Sequence, residues 1–277
     1  MNLFIRIYNK INHLVLGVNR TEKQSHFFNY SIHDDITFEQ VGVGKNVLVI
    51  GIYLTDYSNQ AEHLIAQFSK SKQHNVDQKW IAIGKANVPH FLAENTILHL
   101  KEKTPKFKLL NEIISEIDIE AYDYIIFTDD DIAIHDNFID VYINVLEKYD
   151  LKIAQPSRVA HSFNMHNIVL QRKNCVARVT NFVEIGPIFS FHKSIFQEVL
   201  PFPKNAEMGW GLDYIWPKIA EKNNFSIGIV DLITVDHSYR PQSKTYSNQK
   251  SMEQMDNLLN DFDNNRCEKK IVIKKML

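Results

Sequence analysis

Three aspartates, Asp129, Asp130 and Asp131, follow directly on the apolar run "YDYIIFT", and an apolar stretch resumes after them. Two carboxylates about 4 Å apart repel by roughly 4 kcal/mol at an effective dielectric near 20. A divalent cation removes that cost, and hard oxygen ligands suit Mg²⁺ or Mn²⁺, which also bind substrate phosphates. Along an extended chain Asp129 and Asp131 share a face and Asp130 takes the other, so Asp129 and Asp131 are the expected metal-facing pair. A second group stands in "EMGWGLDYIW", residues 207–216. Gly209 and Gly211 permit close backbone approach, Trp210 offers a flat wall for a sugar ring, and Asp213 is placed to accept a proton from an attacking hydroxyl. A third lies in "VDHSYR", where His237 is a candidate metal ligand. Each has a plainer reading as well: an acidic turn at a helix start, a core tryptophan in a tight turn, and a surface histidine.

These residues need strands and helices to bring them together. "NVLVIGIYL" is a continuous apolar, β-branched run, the pattern of a strand buried on both faces. Ser58 reads as an N-cap, followed by a helix with Ala61, Leu64, Ile65 and Phe68 inward. "QKWIAIG" is a second strand, and "PKFKLLNEIISEI" a helix burying Phe107, Leu110, Ile113, Ile114 and Ile117. "YDYIIFTD", "NFIDVYINVLEKY" and "LKIAQPS" follow as strand, helix and strand, "LDYIWPKIAEKN" as a further helix, and "NFSIGIVDLITVD" has strand character. Strands alternating with helices predict an α/β fold, a mostly parallel sheet flanked by helices in one main domain. Ligands of such sheets bind beyond the carboxyl ends of the strands, where the aspartates fall. Residues 1–45 are expected to be an N-terminal extension, 46–240 the main domain, and 241–277 a C-terminal tail.

Composition narrows the function. The chain has 277 residues, 44% hydrophobic, with a net charge of −2. That is ordinary globular composition, and it gives no electrostatic footprint for nucleic acid. Two cysteines form no disulfide framework, which fits a reducing, cytoplasmic setting. No run approaches the ~20 apolar residues of a membrane span, and Arg6, Asn9, Lys10 and Asn12 break the N-terminal apolar run, so it does not read as a signal peptide. Both termini are basic and apolar, with Phe4, Ile7, Ile11, Leu14 and Val18 at helical spacing, and "CEKKIVIKKML" at the other end. They are expected either to touch the inner face of a membrane peripherally or to be a capping helix and a final strand.

In combination, the buried strand with DDD, then GWGLD, then VDHS resemble the GT-A glycosyltransferases, whose fold is Rossmann-like. The resemblance covers about residues 46–240. It extends to an uncharacterised glycosyltransferase group carrying "WGLD" and a preceding "VE...P.FS", which stands here as "FVEIGPIFSF", 182–191. It implies a metal-dependent transferase that moves a sugar from a nucleotide-sugar donor to a glycan, glycolipid or other hydroxyl acceptor, in polysaccharide biosynthesis. By it, Asp129 and Asp131 match the DxD aspartates and His237 the late metal-binding histidine. Asp130 would touch the nucleotide ribose or the donor sugar. Asp213 matches the general base of inverting members, and Trp210 with Gly211 the sugar site. Glu184 is a candidate for sugar hydroxyls. Leu212 stands where inverting members often have a second acid. Tyr53 and Asp56, after the first strand, are nucleotide candidates by position alone. Lys106 and Lys108 could add positive charge against a diphosphate, Lys108 being taken as the donor-binding candidate. The segment holding Arg158, His161, His166, Arg172, Lys173 and Arg178 would suit an anionic acceptor.

Two other readings carry weight. A haloacid-dehalogenase-type phosphatase also places a DxD after a buried strand, with Asp129 as nucleophile and Asp131 as acid. Its motif continues with Thr or Val where Ala133 stands here, and it leaves GWGLD and VDHS without a role. The other is a non-catalytic sugar-nucleotide or glycan-binding module on the same fold.

Overall fold

The structure is a computed structural model, and it describes residues 36–172, 174–240, 248–262 and 269–277. Strands β1 (Asn46–Leu54), β2 (Asn75–Ile83) and β3 (Thr96–Leu100) alternate with helices α1 (Ala61–Phe68) and α2 (Lys106–Ser115). Strands β4 (Tyr124–Asp129) and β5 (Ala133–Ile134), helix α3 (Phe138–Tyr149) and strand β6 (Leu151–Arg158) follow. The second half contributes β7 (Ala177–Thr180), β8 (Ile188–His192), α4 (Phe196–Val199), α5 (Leu212–Asn223), β9 (Ser226–Asp236), α6 (Asn248–Asp261) and β10 (Val272–Met276).

Among the described residues these strands form one mixed sheet in the order β10-β7-β9-β6-β8-β4-β1-β2-β3, with β5 pairing the end of β9. β1, β2, β3 and β4 run parallel, as do β6 and β9. β8 threads antiparallel between β4 and β6. The sheet is covered on both faces, which is why β1 reads as an unbroken apolar run. Leu48, Ile50 and Ile52 pack with α2, α5 and α6 on one side, while Val47, Val49 and Tyr53 pack with α1 and α3 on the other.

The structure differs from the sequence reading in three respects. Helix α1 begins at Ala61 behind Gln60, and Asn59 Oδ1 accepts the Ala61 N–H at 3.1 Å, so Asn59 rather than Ser58 serves the helix start. β8 and the short β3, β5 and β7 carry too few residues to register as periodic strands. Of the stretch taken as a tail, the described segments 248–262 and 269–277 pack into the fold. Helix α6 buries Met255, Leu258 and Leu259 in the main core, and β10 joins the sheet beside β7. Most of the polar residues of α6 are exposed, and the Asn-rich composition conceals the apolar stripe of Met255, Leu258 and Leu259. Residues 1–35, with the amphipathic N-terminal pattern, lie outside the described residues. Among the described residues no helix is long and apolar enough to cross a membrane.

Candidate active site

The carboxyl ends of β1, β4, β6 and β9 meet at one edge of the sheet. Because β8 is antiparallel to β4 (Thr128 opposite Ile188), the residues just before β8 arrive at that same edge. Asp129 N–H donates to Pro187 O at 2.8 Å. Gly186 lies so close that an added Cβ would sit 3.2 Å from Asp129 Oδ2. The antiparallel pairing of β5 with β9, Ala133 opposite Asp236, brings Asp131 alongside His237.

The three aspartates have three environments. Asp129, the most exposed with a side chain 34% accessible, accepts from Lys106 Nζ at 2.6 Å. Asp130 is buried; its carboxylate accepts the Leu54 N–H at 2.8 Å and the guanidinium of Arg240. It is thus an anchor between β1, β4 and the segment after β9, with its oxygens turned inward. Burial pushes its carboxyl up to about 6, against the opposing pull of Arg240. Asp131 Oδ1 lies 3.3 Å from His237 Nε2, and Arg240 Nη2 is 3.3 Å from its other oxygen. Burial would raise Asp131, but the hydrogen bond and charge of His237, then Arg240 and Lys106, bring it below the ordinary carboxylate value.

Among the described residues no group of three or more His, Cys, Asp or Glu side chains is arranged to hold a metal ion. Asp129 faces Lys106, so the expected set reduces to Asp131 and His237. That pair does fit a divalent cation. It offers a carboxylate oxygen from the turn between β4 and β5 and an imidazole from the residue after β9, and His237 Nδ1 is buried with no hydrogen-bond partner. Two protein ligands suffice for a cation that takes its other ligands from phosphates and water.

The second group approaches from α5. Gly209 (φ 78°) and Gly211 (φ 102°) are left-handed, and an added Cβ at Gly209 would lie 2.0 Å from the Phe107 ring. Gly211 packs against Met255 and Leu258 of α6. The loop is thus wedged between α2 and α6, and Phe107 N–H donates to Glu207 O at 3.0 Å. Asp213 begins α5 with Oδ1 buried and unpartnered. Burial, then the nearby negative charge of Glu184, push its carboxyl up to about 7, with Lys270 opposing. Glu184 is also raised by burial despite its ion pair with Arg158. Arg158 further donates to Gly186 O and, at 2.7 Å, to Phe163 O. Trp210 is half-buried beside the core.

Other expected residues lie elsewhere. Tyr53 has no exposed surface, and its hydroxyl pairs with Thr96 Oγ1 at 2.8 Å. This corrects its reading as a nucleotide contact, because alternation along β1 turns it into the core on the α1 side. Asp56 is exposed and braces the loop after β2, accepting the N–H groups of Lys85 and Ala86 at 2.8 Å each. Lys108 is on the exposed face of α2, and Lys106, two positions earlier, is the lysine at the aspartates. Arg240, which no motif singled out, holds Asp130 and also donates to Ser58 O at 3.1 Å. Its signal was only its place three residues after His237. Arg158 and Arg178 are buried and ion-paired with Glu184 and Asp231, and of the two only Arg158 keeps a side-chain N–H, Nε, without a partner.

The comparisons agree with this architecture. The chain superposes on GalNAc-T7, solved with UDP, GalNAc and Mn²⁺, at a TM-score of 0.51 and 11% identity, over 76% of this chain and 47% of that one. It superposes on residues 1–349 of S. aureus TarS, in complex with UDP-GlcNAc, at 0.52 and 12% identity, over 80% of this chain and 68% of that one. Both are GT-A glycosyltransferases, and the likeness shows that fold. The chain spans about half the length of the GalNAc-T7 structure. No curated protein matches it in sequence. Residues 110–273, more than half of the chain, match a family model described as "Protein of unknown function (DUF707)". The chain belongs to the DUF707 family; the match runs from β4 into the first residues of β10 and includes Asp129, Asp130, Asp131, Glu184, Asp213 and His237.

Proposed function

We propose that this protein is a metal-dependent glycosyltransferase that moves a sugar from a nucleotide-sugar donor to a hydroxyl of an acceptor glycan or glycolipid. The observation that supports the reading is the Asp131–His237 pair at the carboxyl ends of the strands, with Glu184 close to both His237 and a buried carboxyl, Asp213, pushed up to about 7. The GT-A fold is compatible with this chemistry, but a fold alone does not set a function. Asp131 and His237 would hold a divalent cation, Mn²⁺ or Mg²⁺, whose charge offsets that developing on the leaving diphosphate. Lys106, already at Asp129, supplies a second cation on the same side. Asp213 takes the proton of the attacking hydroxyl, a contribution of about 10²–10⁴ in rate. Its raised pKa makes it a stronger base than an ordinary aspartate. Attack from the Asp213 side in a single displacement would invert the anomeric centre. Trp210 and Gly211 would line the sugar site.

The test is thermal unfolding with a panel of nucleoside diphosphates and nucleotide-sugars, each with Mn²⁺, Mg²⁺ or EDTA. A ligand at 100 times its Kd adds about 2.7 kcal/mol. The expected result is a metal-dependent upward shift with one nucleotide class, lost in Asp131→Ala. No shift with any nucleotide, with or without metal, overturns the proposal.

A further inference from the structure

The inner wall of the site contains polar atoms that the fold buries and leaves without partners: Asp213 Oδ1, Glu184 Oε1 and Arg158 Nε. Their residues are joined. Arg158 binds Glu184 Oε2 and the Gly186 carbonyl through Nη2. Gln155 Oε1 accepts the Glu184 N–H at 2.5 Å, fixing the backbone from which that carboxyl projects. Tyr214, next to Asp213, has its ring centroid 6.0 Å from that of Phe182, two residues before Glu184, so the start of α5 lies against the approach to β8. Lys270 Nζ sits over both rings, at 4.7 and 5.0 Å. Glu184 and Arg158 are 6% and 3% exposed, so the wall is built into the core rather than laid on the surface.

The unpaired atoms define what would complete them. Two are carboxyl oxygens and want donors, and the third is a guanidinium N–H and wants an acceptor. A hydroxyl both donates and accepts, so two neighbouring hydroxyls can serve all three. A phosphate or carboxylate only accepts. It would satisfy Arg158 Nε alone and set its charge against two carboxyls in a dry setting. We infer that Glu184 and Asp213, with Arg158 clamping Glu184, form a subsite for adjacent hydroxyls of an uncharged sugar and disfavour a sugar carrying phosphate or carboxylate there. The inference rests on the glycosyltransferase reading and names its substrate class. It also runs against the sequence-based expectation of an anionic acceptor, because Arg178 is held by Asp231 and the one unpartnered N–H of Arg158 stands among carboxyls.

The test titrates the full chain by saturation-transfer NMR and calorimetry with neutral methyl glycosides, their 6-phosphates and the corresponding methyl uronides. At least one neutral glycoside should bind about tenfold or more tightly than its charged counterparts. Glu184→Gln keeps the shape and an acceptor for Arg158, and should reduce that preference to about threefold or less. Asp213→Asn, which leaves the Arg158 clamp intact, should do the same, and serves if Glu184→Gln fails to fold. Equal or tighter binding of charged sugars, no binding of any glycoside, or an unchanged preference in both variants overturns the inference. UDP and GDP with Mn²⁺, titrated on the same samples, report the donor reading separately. Nucleotide binding without a neutral-sugar preference sinks only this inference, and loss of nucleotide binding sinks the transferase reading itself.

Discussion

Replacing Asp213 by asparagine should make the protein more stable at alkaline pH and almost inactive at every pH. In the fold its carboxyl rises from 3.8 to about 7. A shift of that size corresponds to roughly 2–4 kcal/mol once the partial solvent contact of the side chain is allowed for. A carboxyl with a raised folded pKa contributes stability that is complete below its unfolded pKa, and that contribution is lost as pH rises through the folded value. Wild-type stability should therefore fall between pH 4 and pH 8 by this amount, in excess of any loss shared with Asp213→Asn, which has nothing to ionise there. Each kcal/mol is about 2–4 °C in Tm for a domain of this size, within reach of scanning calorimetry. The same carboxyl sets the rate. If only its ionised form takes the hydroxyl proton, release of nucleoside diphosphate from a nucleotide-sugar should rise about tenfold per pH unit below 6 and level off above 8. Asp213→Asn should lower that rate by about 10²–10⁴ while nucleotide binding stays. A wild-type rate flat from pH 5 to 8, a variant within tenfold of wild type, or a variant less stable than wild type at pH 8 would refute the assignment.

Further predictions follow from single contacts. Lys106→Met removes the ammonium 2.6 Å from Asp129 and should weaken nucleoside-diphosphate binding about tenfold or more by calorimetry, whereas Lys108→Met should leave it unchanged. Gly209→Ala puts a methyl against the Phe107 ring at a left-handed φ and should cost about 2–4 kcal/mol in urea unfolding; a cost under about 0.5 kcal/mol would contradict the wedge geometry. Leu258→Ala should cost about 2–5 kcal/mol, a loss that a detached tail would not show. Asp231→Asn removes the negative charge paired with the fully buried Arg178 guanidinium and should destabilise by about 3–5 kcal/mol, read as a lower urea midpoint.

The sequence by itself determined the elements whose own residues carry the pattern. β1, with both faces apolar, and α1 and α2, with inward stripes at helical spacing, were legible because burial is written into each locally. The DDD, GWGLD and VDHS groups were legible for a related reason. A charge cluster at the end of a buried strand, and glycines around a tryptophan, are unusual enough to mark a place. Other features depended on partners distant in sequence. That Asp130 turns inward to Arg240 and the Leu54 N–H, while Asp129 takes Lys106, follows from the β1–β4 register and the return of the chain after β9. Tyr53 and Asp56 could not be told apart from position alone; strand alternation buried one and left the other on a loop. β8 was hidden because five residues show no period, yet its antiparallel course delivers Glu184 and Gly186 to the aspartates. Helix α6 was hidden because a polar, Asn-rich composition masked the few apolar residues that Gly211 and the core receive. The chemistry of Asp213 was likewise a tertiary matter. Its residue type named a base, but only burial beside Glu184 brings its pKa to where it can act as one.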